Sequence, residues 1–121
     1  MNSKKTIVLG ASTNPSRYSY MAVNRLVEKG HNVVPVGIKK GSIAGLDIQS
    51  ADEEQQDIDT ITLYLGPQNQ SQYYNYLLAI NPKRVIFNPG TANPELEDKL
   101  RENGIAVVEA CTLVMLSNNL Y

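Results

Sequence analysis

Tryptophan is absent from the sequence, phenylalanine, histidine and cysteine occur once each, and no apolar run approaches the roughly 20 residues that a bilayer-spanning helix requires. Each scarcity removes a class of protein. The lone cysteine, Cys111, cannot close a disulfide within the chain, and with the lone histidine, His31, it cannot build the Cys/His tetrahedron of a structural zinc site. The amino terminus, Met1-Asn2-Ser3-Lys4-Lys5, leads into an apolar stretch that ends at Gly10, too short for a signal peptide and lacking its small-residue cleavage site. A cytoplasmic protein without membrane contact is the expectation. Neither sign of charge is in excess: the net charge is −1, and the 11 Lys and Arg are scattered rather than gathered into a stripe. Nucleic acid is therefore not an expected partner.

What remains is an ordinary globular composition, with 42% hydrophobic and 19% charged residues over 121 positions, enough for a sheet covered by helices and too little for two such cores. Residues 1–121 are read as one domain.

The run Thr6-Ile7-Val8-Leu9-Gly10 is continuously apolar and β-branched, as a strand buried on both faces of a parallel sheet must be. Val23, Leu26 and Val27 then recur at helical spacing, and Gly30 terminates the pattern. His31–Val36 reads as a second strand, with Pro35 near an end where no ladder hydrogen bond is needed. Residues 39–57 are polar or small and read as a connection. Ile58–Leu65 supplies the next strand, and Tyr73, Tyr76, Leu77 and Ile80 the apolar stripe of a helix. Arg84–Phe87 is another strand. Asn93-Pro94-Glu95 starts a helix, with an N-cap amide, a proline at the first position and acids in the first turns, and Gly104 ends it. Ile105–Val108 is the last strand, and Leu113, Leu116 and Leu120 mark a closing helix. Strands alternating with helices predict an α/β, Rossmann-like doubly wound three-layer sandwich with a central parallel sheet of about five strands. Ligands on such sheets bind outside the carboxyl ends of the strands, where strand order reverses.

The loop from Gly10 to Ser19 joins the first strand to the first helix, where free backbone N–H groups and the helix dipole favour a phosphate. Gly10 permits a close turn, Ser12 and Ser19 offer hydroxyl donors, and Arg17 offers charge-assisted hydrogen bonds. The loop departs from the G-x-G-x-x-G dinucleotide fingerprint, since Ser12 stands at the second glycine. A competing reading is a polar loop that merely caps a helix. No acid lies between Val33 and Leu46 to hold the ribose hydroxyls of NAD; Val36-Gly37-Ile38-Lys39-Lys40-Gly41 instead presents two lysines suited to a phosphate on the adenosine ribose. The pattern points to coenzyme A or NADP, against the alternative of two solvated surface lysines. Cys111, just before the closing helix, is either a small buried residue or a reactive thiol. Two places are open to Tyr73, Tyr74 and Tyr76: the core on one side of their helix and a homodimer surface on the other.

Gly10-Ala11-Ser12 with Pro15, Arg17 and Ser19, then Pro35-Val36, Ile43-x-Gly45, Asn88-Pro89-Gly90 and Cys111, resemble the bacterial CoA-binding domain family, stand-alone relatives of the amino-terminal domain of the succinyl-CoA synthetase α subunit. The resemblance covers nearly the whole chain. It implies that Gly10, Ala11, Ser12, Arg17 and Ser19 hold the CoA phosphates, that Val36, Gly37, Lys39 and Lys40 face the adenosine end, and that the pantetheine arm passes Leu65-Gly66-Pro67 and Asn88-Pro89-Gly90. His31, at the opposite edge of the sheet, is not placed for the synthetase's phosphohistidine chemistry. The leading expectation is a module that binds CoA or an acyl-CoA as sensor, carrier or regulatory partner and needs no catalytic residue. The alternatives are an NADP-dependent oxidoreductase and an interaction protein, with a homodimer or unknown protein partner, that has lost its nucleotide.

Overall fold

The computed structural model describes residues 3–121. In chain order the elements are β1 (Thr6–Leu9), α1 (Tyr18–Glu28), β2 (Val33–Val36), β3 (Ser42–Ile43), β4 (Leu46–Asp47) and β5 (Thr60–Leu63). Two 3₁₀ turns then lead into α2 (Tyr74–Ile80), β6 (Arg84–Phe87), α3 (Pro94–Glu102), β7 (Ala106–Glu109) and α4 (Thr112–Ser117). Five strands form one parallel sheet in the order β2-β1-β5-β6-β7, with β3 and β4 apart as a small hairpin. The expected Rossmann-like α/β sandwich is present. Strand order reverses between β1 and β5.

Alternation along each strand divides the core in two. Ile7 and Leu9 of β1 join Ile61, Leu63, Val85 and Phe87 against Leu77 of α2 and Leu96 and Leu100 of α3. Val8 faces the other way, onto Val23 and Leu26 of α1 and Leu116 of α4. Each fully buried side chain of this kind contributes about 1.5–3 kcal/mol of transfer free energy, so both layers are needed to hold the sheet.

The helix ends follow from local chemistry. Gly30, at φ +85°, lets its N–H donate to Val27 O while the His31 N–H reaches Leu26 O at 3.1 Å, a Schellman closure of α1. That bond removes His31 from the expected second strand, which starts at Val33. The Ile105 N–H likewise closes α3 on Leu100 O, shifting the last strand to Ala106–Glu109. At the start of α3 the Asn93 side chain accepts from the Leu96 N–H, and the Glu97 carboxylate accepts from the Asn93 N–H at 2.9 Å. Residues 39–57 contain the β3–β4 hairpin, turned at Ala44-Gly45 with both residues at positive φ. Leu120 lies beyond α4 and is exposed, because the helix closes when the Leu120 N–H donates to Met115 O.

Pro35 sits one residue from the end of the edge strand β2, as expected. Its carbonyl accepts from the Gln49 N–H outside the sheet, so its nitrogen faces outward too and no ladder bond is lost. Among the described residues no helix is long and apolar enough to cross a membrane.

At the carboxyl edge a buried polar cluster ties β5, β6 and α4 together. Asn88 Nδ2 donates to Thr62 Oγ1 (2.7 Å) and Leu63 O (2.9 Å), while its Oδ1 accepts from the Thr112 N–H (2.9 Å). Truncation would orphan a buried N–H and a buried C=O. Asn88→Ala is expected to cost about 2–4 kcal/mol, read as a lower urea midpoint with an unchanged slope.

Candidate functional site

The site lies where strand order reverses, between the loops that follow β1, β2 and β5. An open cleft of about 580 Å³ is lined there by Gly10, Ala11, Ser12, Arg17 and Ser19 from the first loop and helix, Gly37 and Lys39 from the second, and Leu65 and Gly66 from the third. A second cleft, of about 1110 Å³, continues past Lys39 to Lys40 and the β3–β4 hairpin, sharing Gly37, Ile38, Ile48 and Tyr73 with the first.

The first loop is held in shape by its own polar groups. The Gly10 and Ala11 N–H groups both donate to Val36 O, at 2.9 and 3.0 Å, so these two residues form the wall and their amides are committed. Ser12 Oγ accepts from the Asn14 N–H, and Asn14 Oδ1 accepts from the Ser16 N–H and hydroxyl. Gly10 stands at φ +94°, a conformation that favours glycine. Gly37 is required by contact: a Cβ there would lie 2.6 Å from Ala11 O, inside any tolerable approach of the two loops.

Other donors of this cleft are left uncommitted. Arg17, the N-cap residue of α1, has extended backbone and makes no side-chain capping bond, and no acid stands in the first turn. The leading N–H groups of the helix and the positive end of its dipole therefore face the cleft without a partner among the described residues. Among the described residues Arg17, Lys39 and Lys40 enter no ion pair, as is also true of Lys29 and Lys99 elsewhere on the surface; what distinguishes the three is that they border the clefts. A concave surface with an uncapped helix start and three cations at its rim offers favourable electrostatics to an anion.

The sequence model of the CoA binding domain family matches residues 4–117. The chain belongs to that family. The chain is similar over its whole length to the crystal structure of an uncharacterized protein, at 51% identity and a TM-score of 0.97, covering 100% of both chains. A protein from Thermus thermophilus matches at 28% identity and a TM-score of 0.86, with 98% of this chain and 91% of that one covered. The fold also recurs in a dinucleotide-forming acetyl-coenzyme A synthetase from Ca. Korarchaeum cryptofilum, at 19% identity and a TM-score of 0.71, where 90% of this chain covers 26% of the larger protein. No curated protein matches.

Not every residue expected at the site of this CoA-binding domain lines the clefts. Val36 is buried beneath the first loop and contributes its carbonyl. The Asn88 side chain is spent inside the protein, and the exposed Pro89 and Gly90 form the turn that returns the Thr91 N–H to Asn88 O. Pro67 opens the 3₁₀ turn just beyond Gly66. Cys111 is half-buried at the N-cap of α4 and lines neither cleft. His31 sits at the opposite edge, accepting from the Lys4 N–H at 3.0 Å and packed on Tyr121; burial and then the charges of Lys4 and Arg84 hold its pKa below the usual value.

The three tyrosines separate. Tyr74 accepts from Asn93 Nδ2 at 2.9 Å, Tyr76 packs on the core, and Tyr73 lines both clefts. Sequence reasoning missed Tyr73 at the site because its helical spacing reads equally as core. It also missed Tyr18, Ile38 and Tyr64. Ile38 is 85% exposed between Gly37 and Lys39, and an apolar side chain beside two lysines was the available signal.

Gly37→Ala is expected to lower stability by roughly 1–3 kcal/mol through the clash with Ala11 O, measured by urea unfolding. Burial pushes the pKa values of the Tyr64 and Tyr76 hydroxyls from 10.0 up to about 12, at Tyr64 against the opposing pull of the nearby Thr62 and Thr112 hydroxyls. The unfolded chain releases these protons first, so stability is full below pH 10 and falls as pH rises toward 12. Tyr64→Phe should flatten that decline in alkaline unfolding curves.

Proposed function

We propose that this domain binds coenzyme A or an acyl-CoA as a non-catalytic cytoplasmic carrier, sensor or regulatory module. The observation that carries the reading is the set of uncommitted donors, Arg17, Lys39, Lys40 and the open start of α1, gathered on two adjoining clefts of a CoA-binding domain. The diphosphate sits at the α1 start, with Ser12, Arg17 and Ser19 around it. Its negative charge meets the helix dipole there, and the neutral wall of Gly10, Ala11 and Gly37 lets it approach closely. The adenosine end extends over Gly37 toward Lys39 and Lys40, whose ammonium groups answer a phosphate on the ribose. The pantetheine arm leaves past Leu65 and Gly66, with Pro67 and the Pro89-Gly90 turn bordering the same edge of the sheet. Binding and presentation need no acid, base or nucleophile from the chain, which is why a carrier or regulatory role suits it.

Calorimetric titration with CoA, dephospho-CoA, NAD and NADP at low salt tests the assignment. CoA is expected to bind best. Arg17→Ala is expected to weaken CoA and dephospho-CoA alike, whereas Lys40→Ala weakens CoA and leaves dephospho-CoA nearly unchanged, each by about 1–3 kcal/mol. A preference for NADP would redirect the reading to an oxidoreductase, and binding insensitive to both substitutions would refute this placement.

A further inference from the structure

Gly37, Ile38, Lys39, Ile48 and Tyr73 line both clefts and so mark the neck where the two meet. The neck differs from what lies on either side of it. Arg17 and the start of α1 border the first cleft and Lys40 the second, whereas Ile38, Ile48 and Tyr73 bring apolar surface between them. Ile38 is held outward by its backbone. The arc from residue 37 to 41 is pinned at both ends, the Gly37 N–H donating to Gln49 O at 3.0 Å and the Ile48 N–H to Gly41 O at 2.8 Å, and the Ile38 side chain is 85% exposed. An aliphatic group left in water forgoes the transfer free energy that burial returns, and a pinned arc gives the chain little room to cover it.

Tyr73 is fixed as well. Its N–H donates to Gln70 O at 2.8 Å, and Gln70 is itself fully buried and bonded to Leu65 O and Thr91 O. The Tyr73 ring meets Tyr76 edge-on, with centroids 6.2 Å apart and planes at 70°, and Tyr76 packs on the core. An aromatic ring is thereby set in the wall of the neck before any ligand arrives.

We propose, on the footing of the CoA reading, that Ile38 and Tyr73 clasp the adenine ring between them, with Ile48 at its edge. The ribose of CoA carries a diphosphate, a second phosphate and a base, and the clefts offer three matching surroundings. Phosphates lose too much hydration to enter an apolar neck. The flat faces of the base gain there, by stacking on an aromatic ring and covering an aliphatic one-sidedly exposed to water. The pantetheine arm fits the neck less well, because its two amides need polar partners, and the side-chain amides of Asn69 and Gln72 line the first cleft alone.

Calorimetric titration of CoA into Ile38→Ser and Tyr73→Leu is expected to give affinities about tenfold weaker than wild type for each, the scale of one base–aromatic stack. The chain has no tryptophan, so Tyr73→Trp installs a single reporter. Its emission should be quenched by millimolar adenosine 3′,5′-bisphosphate, which has the base and no arm, and not by 4′-phosphopantetheine, which has the arm and no base. Wild-type affinity for CoA in both substituted proteins overturns the clasp and leaves the CoA reading standing; a wild type that binds no CoA overturns both. Quenching by 4′-phosphopantetheine alone assigns the neck to the arm and also overturns the clasp. Ile38→Ser alters an exposed side chain, so it decides the matter even if the Tyr73 variants fail to fold.

Discussion

The hydrogen bonds that pair β1 with β2 on one side and with β5 on the other are the constraint from which the rest of the molecule follows. Because the chain leaves β1 first toward β2 and later returns to the far side as β5, the loops after β1 and β5 diverge and open a crevice at the carboxyl edge. The same strand separates the two cores, Val8 turned to α1 and α4, Ile7 and Leu9 to α2 and α3. A strand buried on both faces and paired on both edges has no freedom left, so the groups at its end are held rigidly. Gly10 and Ala11 inherit that rigidity through their shared acceptor, Val36 O.

The far wall is held by polar chemistry rather than apolar packing. Gln70 is fully buried, donates to Leu65 O and Thr91 O, and accepts from Asn93, which also donates to Tyr74. Asn88 performs the parallel task between β5, β6 and α4. Satisfied networks of this kind fix loops that carry too little apolar surface to fix themselves, and each member left unpaired would cost free energy in a dry interior. Asn88 was expected to face the ligand. It acts one layer below, as the tie that sets where the loops after β5 and β6 can run.

The contrast between committed and free donors gives the site its character. The Gly10 and Ala11 amides are consumed in shaping the loop, while Arg17, Lys39, Lys40 and the first turn of α1 have no partners among the described residues. On the proposed ligand, fixed backbone dipoles and long cationic side chains would act on the same anion, the first by pre-organisation and the second by reach. The exposed Ile38 and the half-buried Tyr73 add apolar surface where a base or an acyl arm would lie.

Strand and helix identity, the sheet class and the placement of Arg17, Lys39 and Lys40 at one edge were legible in the sequence, because β-branched runs, helical spacing and terminal glycines act locally. The exact strand starts at Val33 and Ala106 were not, since each depends on a helix-closing bond donated by His31 or Ile105. The β3–β4 hairpin was hidden by a turn that puts Ala44, not a typical residue there, at positive φ. By itself the sequence determined the order of elements and the supply of cations, through local propensity and charge. Only the tertiary structure decided which donors stay free, that Asn88 turns inward while Tyr73 turns to the cleft, and which sheet edge is closed, because these depend on hydrogen-bond partners from segments far apart in the chain.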